Sequence, residues 1–451
     1  MPLGLRRVIF YFFVLVFLFI GASLVLYSQG YRFDFRLFKV EKIGGIFVKS
    51  APEDASITLN QKPIQNKSWL LQSGTLINDL TPGNYHLVLA KSGYHTWTKD
   101  LVVEPSIVTE ADFAVLLKDT PPKNLKNGAA DFWLQNSVLV YKNEKNKLSY
   151  VPGGSDEKVI TTGDDFVSLK DEGGLMITKN SSSSDTFFVI DATKTAPLNV
   201  NTVFNKARAA LGDTSKKTVI KRVDFDPTDS QRLLVLTDKG VYLLGLQNSS
   251  LRIIYGSEPK FFSVTSDGAM WQNAKQELVS FGSLNNGLKT IGAYDDNIIA
   301  VDQVSASPSN LTAVLQSNGT FSISGGSIGE KKTIADKAAL MKFSPDQQKL
   351  AFIDHDGKIN IMYFYDKKKS KASYRLPDIK KMDEVESFVW YKDSNHLLVR
   401  LVNGKLYFTE NDDRLPLNAE VISENVKKYF YDAGSSSVFF LKDADLFQFV
   451  F

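Results

Sequence analysis

Two short motifs contain residue types that hydrolysis and metal binding use. Gly325-Gly326-Ser327-Ile328-Gly329 has the Gly-x-Ser-x-Gly spacing of a serine nucleophile presented on a tight bend. Such a nucleophile needs a strand before the bend and a helix after it. Here Gly329-Glu330-Lys331-Lys332 and a further strand pattern follow. The motif therefore predicts an ordinary turn.

The second motif, Asp354-His355-Asp356-Gly357, resembles the start of a calcium loop. An EF-hand loop has a bidentate Glu at its twelfth position, and Tyr365 stands there in this sequence. Asp-Gly between two alternating apolar runs, Lys349–Ile353 and Ile359–Phe364, is instead a strong hairpin signal. We predict a hairpin tip.

The remaining residue types exclude several function classes. The chain has no Cys, which rules out disulfides, thiolate metal sites and a Cys nucleophile. The spacings of its four His residues match no common metal-ligand pattern. The net charge of +3 gives no basic excess for nucleic-acid binding. Adjacent carboxylates such as Asp164-Asp165 face opposite sides of a strand. We therefore predict no catalytic, cofactor or metal site, and no nucleic-acid partner.

Near the N-terminus, Val8–Tyr27 is a run of 20 residues without a charge. As a helix it is about 30 Å long, the thickness of a bilayer core. A buried soluble helix is rarely apolar on every face over this length. A cleaved signal peptide is the main alternative because Gly21-Ala22-Ser23 offers small residues, but the apolar run continues beyond them. We predict an uncleaved anchor, represented by Val8, Phe12, Leu15, Phe19 and Tyr27.

Two charges suggest how this helix is oriented. Arg6 and Arg7 lie on the short flank 1–7, which favours a cytoplasmic N-terminus. The chain is then a single-pass protein of the cell membrane with its C-terminus outside the cytoplasm. Residues 28–43 form a short juxtamembrane segment, so the next domain should sit close to the bilayer.

Residues 44–118 have the pattern of a small β-domain. Strand candidates are Gly45–Ser50, Ser56–Leu59, Asn84–Ala90, Tyr94–Val103 and Val108–Leu117, with a Pro-Gly turn at Leu80-Thr81-Pro82-Gly83. Trp97 and Tyr94 are expected to be core or sheet-surface aromatics.

This stretch resembles the PEGA domain. The matching positions are Gly45-x-x-Val48-x-Ser50-x-Pro52-x-x-Ala55, then Gly74-Thr75, then Leu80-x-Pro82-Gly83-x-Tyr85-x-Leu87-x-Leu89-x-Lys91-x-Gly93-Tyr94. The name motif Pro-Glu-Gly-Ala reads Pro52-Glu53-Asp54-Ala55 here, and Asp is one of the better substitutes for Gly in a turn. Leu76 stands where the family usually has Pro. The resemblance implies an extracytoplasmic β-module, often next to a membrane anchor, with no active site.

After the linker Thr120-Pro121-Pro122, a strand–turn–hairpin unit of about 41 residues recurs over residues 119–451. The units begin at Trp133, Val167, Val223, Phe262, Gln303, Met341, Phe388 and Lys428. This region resembles a TolB-type or WD-repeat-type β-propeller, with eight blades favoured and seven possible. The last unit ends after three strands, so we predict that the segment after Pro122 supplies its outer strand and closes the ring.

Two segments stand apart from the repeat. Asn199–Lys217 interrupts it with helical spacing and predicts a short helix, either covering the propeller or carrying a binding surface. Asp366–Lys371 is a basic run, expected to be a solvated loop or a contact for anionic polymer or lipid.

The fold class we predict is therefore all-β with one N-terminal transmembrane helix at 8–27, a PEGA-like domain and a propeller. The function we expect is non-catalytic binding or scaffolding of a protein or polysaccharide in a bacterial cell envelope. One alternative is a propeller hydrolase or lyase with its site at the central channel. Another is a spacer in which only the PEGA-like domain binds.

Overall fold

The computed structural model describes residues 3–34, 39–67, 73–151, 157–170, 174–181, 185–191, 193–194, 196–213, 218–282, 287–304, 310–364 and 370–451. It divides into two compact units. The first unit comprises residues 1–121 together with 412–420, and the second comprises 122–411 together with 421–451.

The first unit begins with helix α1, Leu3–Ser28. Gly30 follows with φ of +82°, in the left-handed region that glycine adopts without a steric penalty. A two-stranded hairpin comes next, formed by β1 (Tyr31–Asp34) and β2 (Lys39–Lys42). This hairpin was not predicted within the juxtamembrane segment 28–43, because its strands are only four residues long.

Seven further strands of the first unit form two sheets. Their bounds are β3 Gly44–Ala51, β4 Ser56–Leu59, β5 Lys62–Ile64, β6 Thr75–Leu80, β7 Gly83–Ala90, β8 Trp97–Val103 and β9 Val108–Val115. One sheet has the order β6-β3-β9 with β3 parallel to β9, and the other has the order β5-β4-β7-β8. Alternating residues of both sheets meet in one core, which includes Ile46, Leu87 and Trp97.

The second unit contains eight four-stranded antiparallel sheets within its described residues, as the eight-bladed propeller prediction requires. Blades 1 to 4 are β11 Ala129–Gln135, β12 Val138–Asn143, β13 Leu148–Val151, β14 Lys158–Ile160; β15 Asp165–Lys170, β16 Leu175–Asn180, β17 Thr186–Asp191, β18 Leu198–Asn199; β19 Ile220–Asp226, β20 Asp229–Thr237, β21 Gly240–Gly245, β22 Leu251–Tyr255; β23 Phe261–Thr265, β24 Gly268–Gln272, β25 Glu277–Gly282, β26 Gly287–Ala293.

Blades 5 to 8 complete the ring. Their strands are β27 Ile298–Val304, β28 Leu311–Gln316, β29 Phe321–Gly325, β30 Gly329–Ala335; β31 Ala338–Phe343, β32 Lys349–Asp354, β33 Ile359–Tyr363, β34 Lys371–Tyr374; β35 Val385–Trp390, β36 His396–Leu401, β37 Leu406–Glu410, β38 Ala419–Ser423; and β39 Val426–Asp432, β40 Ser437–Lys442, β41 Asp445–Val450 with β10 Lys123–Asn127.

The closure of blade 8 confirms the prediction made from its missing strand. β10, directly after Pro122, pairs antiparallel with β41, so that Lys123 lies opposite Gln448 and Asn127 opposite Asp445. The first strand of the propeller thus covers the outer edge of the last blade. An edge strand paired in this way no longer offers free N–H and C=O groups to other chains.

Local turn chemistry explains why the hairpins recur. At three tips between a second and a third strand, an Asn or Asp side-chain oxygen accepts hydrogen bonds from the backbone N–H groups two and four residues later. The acceptors are Asn143, Asn273 and Asp354. The residue three positions after each acceptor has a positive φ: Asn146, Gln276 and Gly357. Asx turns of this kind fix the hairpin locally.

The predicted helix between blades 2 and 3 is α2, Val200–Ala210. The Asn199 side chain caps its N-terminus by accepting a hydrogen bond from Thr202 N–H, and Gly212 follows its end in the left-handed region. Val200, Phe204 and Ala207 are buried in the core that blades 2 and 3 share. This face of the helix therefore covers the propeller. Residues 214–217 of the predicted segment lie outside the described residues.

Candidate membrane-facing and binding surfaces

The five predicted anchor residues all lie on α1. Val8, Phe12, Leu15, Phe19 and Tyr27 are each between 59% and 72% exposed. Within the described residues, α1 is one helix of the length and composition that crosses a membrane, and none of it is buried in the protein. The same properties describe a signal sequence. α1 is therefore an apolar helix with exposed side chains, as expected of either a membrane anchor or a signal sequence.

A chain of contacts fixes the end of α1 to the rest of the first unit. The Arg32 guanidinium lies 3.6 Å from the centre of the Tyr27 ring and donates a hydrogen bond to the Tyr27 carbonyl oxygen at 2.9 Å. A cation at this position complements the partial negative charge of a helix C-terminus. Arg32 also forms an ion pair with Asp79, with its Nη2 2.9 Å from Oδ1. The helix end, the hairpin and β6 are thereby connected.

The core face of β8 contains a buried lysine. Along this strand Trp97, Lys99, Leu101 and Val103 alternate with exposed or half-buried residues, and Lys99 is 0% exposed. Its Nζ donates to the carbonyl oxygens of Arg414 at 2.9 Å and Pro416 at 3.0 Å. A buried ammonium needs such acceptors because its transfer from water is costly.

The acceptors belong to the segment Asp412–Glu420, which is part of the first unit. This segment also covers the outer edge of β8. The Asp100 N–H donates to the Leu415 carbonyl oxygen at 2.8 Å. The Asn418 Oδ1 accepts a hydrogen bond from the Thr98 N–H at 3.3 Å, and the Asn418 Nδ2 donates one to the Thr98 carbonyl oxygen at 2.9 Å. β8 is therefore an edge strand whose backbone groups are satisfied by a segment more than 300 residues later.

The segment has its own internal support. Arg414 Nε lies 2.8 Å from Asp412 Oδ2, and Arg414 Nη2 donates to the Glu110 carbonyl oxygen at 3.0 Å. The Arg414 guanidinium also lies 5.6 Å from the ring centre of Phe113. Sequence reasoning missed this arrangement. The available signal was Lys99 itself, which the alternation of the predicted strand Tyr94–Val103 places on the same face as Trp97 and Leu101.

The two motifs that resemble chemical sites are turns in the structure, as predicted. Gly326–Ile328 is a short 3-10 turn between β29 and β30, with no helix after it. Asp354 Oδ1 accepts the N–H groups of Asp356 and Lys358, and its Oδ2 accepts the Asn360 amide at 2.8 Å. Both oxygens of Asp354 thus hold the hairpin. Among the described residues there is no group of three or more His, Asp or Glu side chains suited to a metal ion.

Charged side chains on the first strands of the blades bond to neighbouring blades. Lys428 of β39 lies 2.8 Å from Asp131 of β11 and 4.6 Å from the ring centre of Trp133. Lys170 of β15 donates to the carbonyl oxygen of Asp226 in β19 at 2.6 Å. These contacts join neighbouring blades.

An aromatic cluster joins blades 7 and 8. The Tyr391 ring contacts the rings of Phe408, Tyr431 and Phe451, with centroids 5.0 to 5.3 Å apart. His396 stacks on Phe408 at 4.7 Å, and its Nδ1 lies 2.7 Å from Asp393 Oδ2. Burial opposes ionisation of Asp393, but His396 and the surrounding hydrogen bonds outweigh it and lower the pKa of this carboxyl.

Comparison with known proteins gives one family assignment. The PEGA domain model matches residues 43–115, which correspond to β3–β9. Residues 43–115 are a PEGA domain. The variant residue of its name motif, Asp54, lies in a turn, has no positive φ and accepts a hydrogen bond from Lys91 at 2.5 Å. The PEGA domain therefore accommodates Asp where a glycine is usual without backbone strain.

The chain is also similar to solved structures, at low identity. The designed protein Ika8 shares 10% identity at a TM-score of 0.49, covering 73% of this chain and 98% of Ika8. Saccharomyces cerevisiae Sqt1 shares 14% at 0.48, covering 73% and 99%. The C-terminal WD40 domain of Sif2 shares 10% at 0.48, covering 73% and 97%. A search of curated proteins finds no match to the chain. The propeller assignment rests on its eight sheets and their closure.

Proposed function

We propose that this protein is a non-catalytic binding or scaffold protein held at a membrane by α1. The observation that carries the proposal is α1 itself, an apolar helix exposed on all sides and joined to a PEGA domain within one unit. Burial of its side chains in lipid satisfies the need for an apolar environment. The PEGA domain and the propeller then work at a membrane surface.

The proposed orientation places residues 1–7 in the cytoplasm and residues 28–451 outside it, in a cell envelope. Arg6 and Arg7 precede the apolar run, and basic flanks favour the cytoplasmic side. Because the chain has no cysteine, this orientation is open to single-cysteine labelling. Leu5→Cys and Lys145→Cys place one thiol at the start of α1 and one at an exposed hairpin tip of blade 1.

In intact cells, a membrane-impermeant maleimide should label Lys145→Cys and leave Leu5→Cys unlabelled until the cells are broken. The opposite pattern would overturn the orientation. Extraction of membranes with alkaline carbonate separates an anchor from a signal peptide. The intact chain should stay with the lipid, whereas release of a shorter chain that lacks residues 1–23 would show cleavage.

The proposed partner is a protein or polysaccharide of the envelope. Loops on a rigid scaffold often carry binding residues, and the contacts of Lys428 and Lys170 each join two neighbouring blades of this scaffold. In-cell crosslinking of the full chain, followed by mass spectrometry, should recover one envelope component above background. The matched control is a chain in which α1 is replaced by an unrelated membrane helix. Recovery of nothing above background in both would count against the binding role.

A further inference from the structure

Exposed apolar side chains are concentrated where α1 ends. In the β1–β2 hairpin, Phe33 and Val40 are direct cross-strand partners and lie on one face with Tyr31 and Lys42. Phe33 is 44% exposed and Val40 is 51% exposed. A two-stranded hairpin is marginally stable in water by itself. This hairpin nevertheless exposes its apolar pair.

The turn between β8 and β9 carries a second apolar pair, Ile107 and Val108, each 44% exposed. Ile107 directly precedes β9 and Val108 is its first residue, and the strand then runs into the core. The PEGA domain therefore has exposed apolar groups on this turn, independently of the hairpin.

Backbone hydrogen bonds place both pairs beside the end of the helix. Gly30 N–H donates to the Tyr27 carbonyl oxygen, Ile43 N–H to that of Gly30, and Ser106 N–H to that of Ile43, at 2.9 to 3.1 Å. Gly45 N–H continues the series by donating to the Ile107 carbonyl oxygen at 3.1 Å. The helix end, the hairpin base and the β8–β9 turn are thus direct neighbours.

We propose that Phe33, Val40, Ile107 and Val108 form a second contact with the bilayer, in the headgroup region around the end of α1. This inference rests on the proposed anchoring by α1. The occupant is the lipid interface because backbone hydrogen bonds place these exposed apolar residues next to the end of the apolar helix, within one unit. Tyr27, Tyr31 and Lys42 flank them, and such aromatic and basic side chains favour the membrane–water interface. We name this surface the footing.

The footing gives residues 28–43 a role that a flexible linker does not have. With the helix end bonded through Arg32 to Asp79, the PEGA domain is held against the lipid at a defined position. A partner is then met at a fixed height above the membrane.

Fluorescence quenching by lipids tests the footing. Single-cysteine variants of the full chain carry a nitrobenzoxadiazole label in vesicles of phosphatidylcholine and phosphatidylglycerol, with spin-labelled lipids as quenchers. The test positions are Phe33→Cys and Ile107→Cys. Lys39→Cys is the matched control, because it lies on the opposite face of the same hairpin, as the pairing of Asp34 with Lys39 shows. Leu15→Cys reports on the helix.

The footing predicts strong quenching at position 15, and quenching at positions 33 and 107 that is several-fold stronger than at position 39. Strong quenching at 15 with equal, weak quenching at 33, 107 and 39 overturns the footing and leaves the anchor intact. Labels at 33 and 107 shielded from both lipid quenchers and aqueous iodide indicate a protein on this surface, which also overturns it. Absence of quenching at 15 defeats the anchor itself.

Discussion

The polar groups of β8 and those of the propeller's hairpin tips find their hydrogen-bond partners in different ways. At β8, the acceptors for a buried lysine come from Asp412–Glu420, far along the chain. At the tips, one Asn or Asp satisfies N–H groups two and four residues away. The first arrangement depends on distant residues meeting, whereas the second forms within five residues. A change in Asp412–Glu420 should therefore disrupt all the contacts of β8 with this segment together. A change at one hairpin tip should remove only the hydrogen bonds of that tip.

The largest effect should follow from removing the distant acceptors. A glycine–serine linker of equal length in place of residues 412–418 removes the Asp412 carboxylate, which lies 3.8 Å from Lys99 Nζ. It also removes the Arg414 side chain that holds this segment, so the backbone carbonyl groups at positions 414 and 416 are no longer held against Lys99. The cost should be about 3–5 kcal/mol, as for other broken buried ion contacts. Hydrogen exchange read by mass spectrometry should show loss of protection in β7 and β8.

The matched control adds Lys99→Met to the linker variant. Without the charge, the strand loses the main reason for its instability, so protection of β7 should return in large part. Equal loss of protection with and without Lys99→Met would show that the edge contacts matter and the buried charge does not.

A smaller effect is expected at a propeller tip. Gly357 has a φ of +74°, and a β-carbon there would lie 2.5 Å from Ile379 Cγ2 and 2.7 Å from the Lys381 carbonyl carbon. Gly357→Ala should lower the free energy of unfolding by about 1–3 kcal/mol, measured by urea titration. Gly212→Ala is the control, because it has a φ of +80° with no atom within 4 Å. Equal losses would mean that backbone strain alone decides the effect.

Loss of one Asx acceptor should cost less. Asn143→Ala removes the acceptor for the N–H groups of Lys145 and Lys147 and should destabilise blade 1 by about 1 kcal/mol in the same titration. Glu144→Ala, an exposed change in the same tip, should be close to neutral. A loss above that of the linker variant would reverse the comparison between local and distant contacts.

The smallest expected effect is on the stability of the fold at low pH. The pKa of Asp393 is lowered from its ordinary value of 3.8, so its ionised form stabilises the fold above that pH and the stabilisation is lost as pH falls through the folded-state pKa. In Asp393→Asn, the free energy of unfolding that is lost on acidification below about pH 4 should be smaller by about 0.5 kcal/mol. Thermal melts from pH 6 to pH 3 measure this. A parallel pH dependence in both proteins would contradict the assignment.

The features that could be predicted from the sequence are those set by local contacts and by the repeat. The tip at Asp354, the blade count and the strand contributed by residues after Pro122 follow from local turn chemistry and a period of about 41 residues. The helix at Val200 followed from its spacing and its Asn199 cap. Five of the seven PEGA strands followed from alternation, with boundaries shifted by one to three residues at several ends, whereas β5 and β6 were not predicted.

The candidate surfaces were less predictable. The five anchor positions were visible as an apolar run, but the β1–β2 hairpin was not, because four-residue strands give too little alternation. The acceptors of Lys99 were not visible at all, since nothing local in Arg414-Leu415-Pro416 indicates which strand it meets. The footing combines residues 33, 40, 107 and 108, and only the hydrogen bonds through Gly30 and Ile43 bring them together.

The pairing of β10 with β41 has a consequence for biosynthesis. β10 leaves the ribosome first, and its partner emerges about 320 residues later, roughly 15 to 60 seconds afterwards at ordinary synthesis rates. Throughout that interval the nascent propeller is an open arc with one unmatched strand at its start. A chaperone that shields Lys123–Asn127 until translation ends would therefore raise the yield of the closed ring, and premature termination anywhere in blade 8 would leave the arc permanently open.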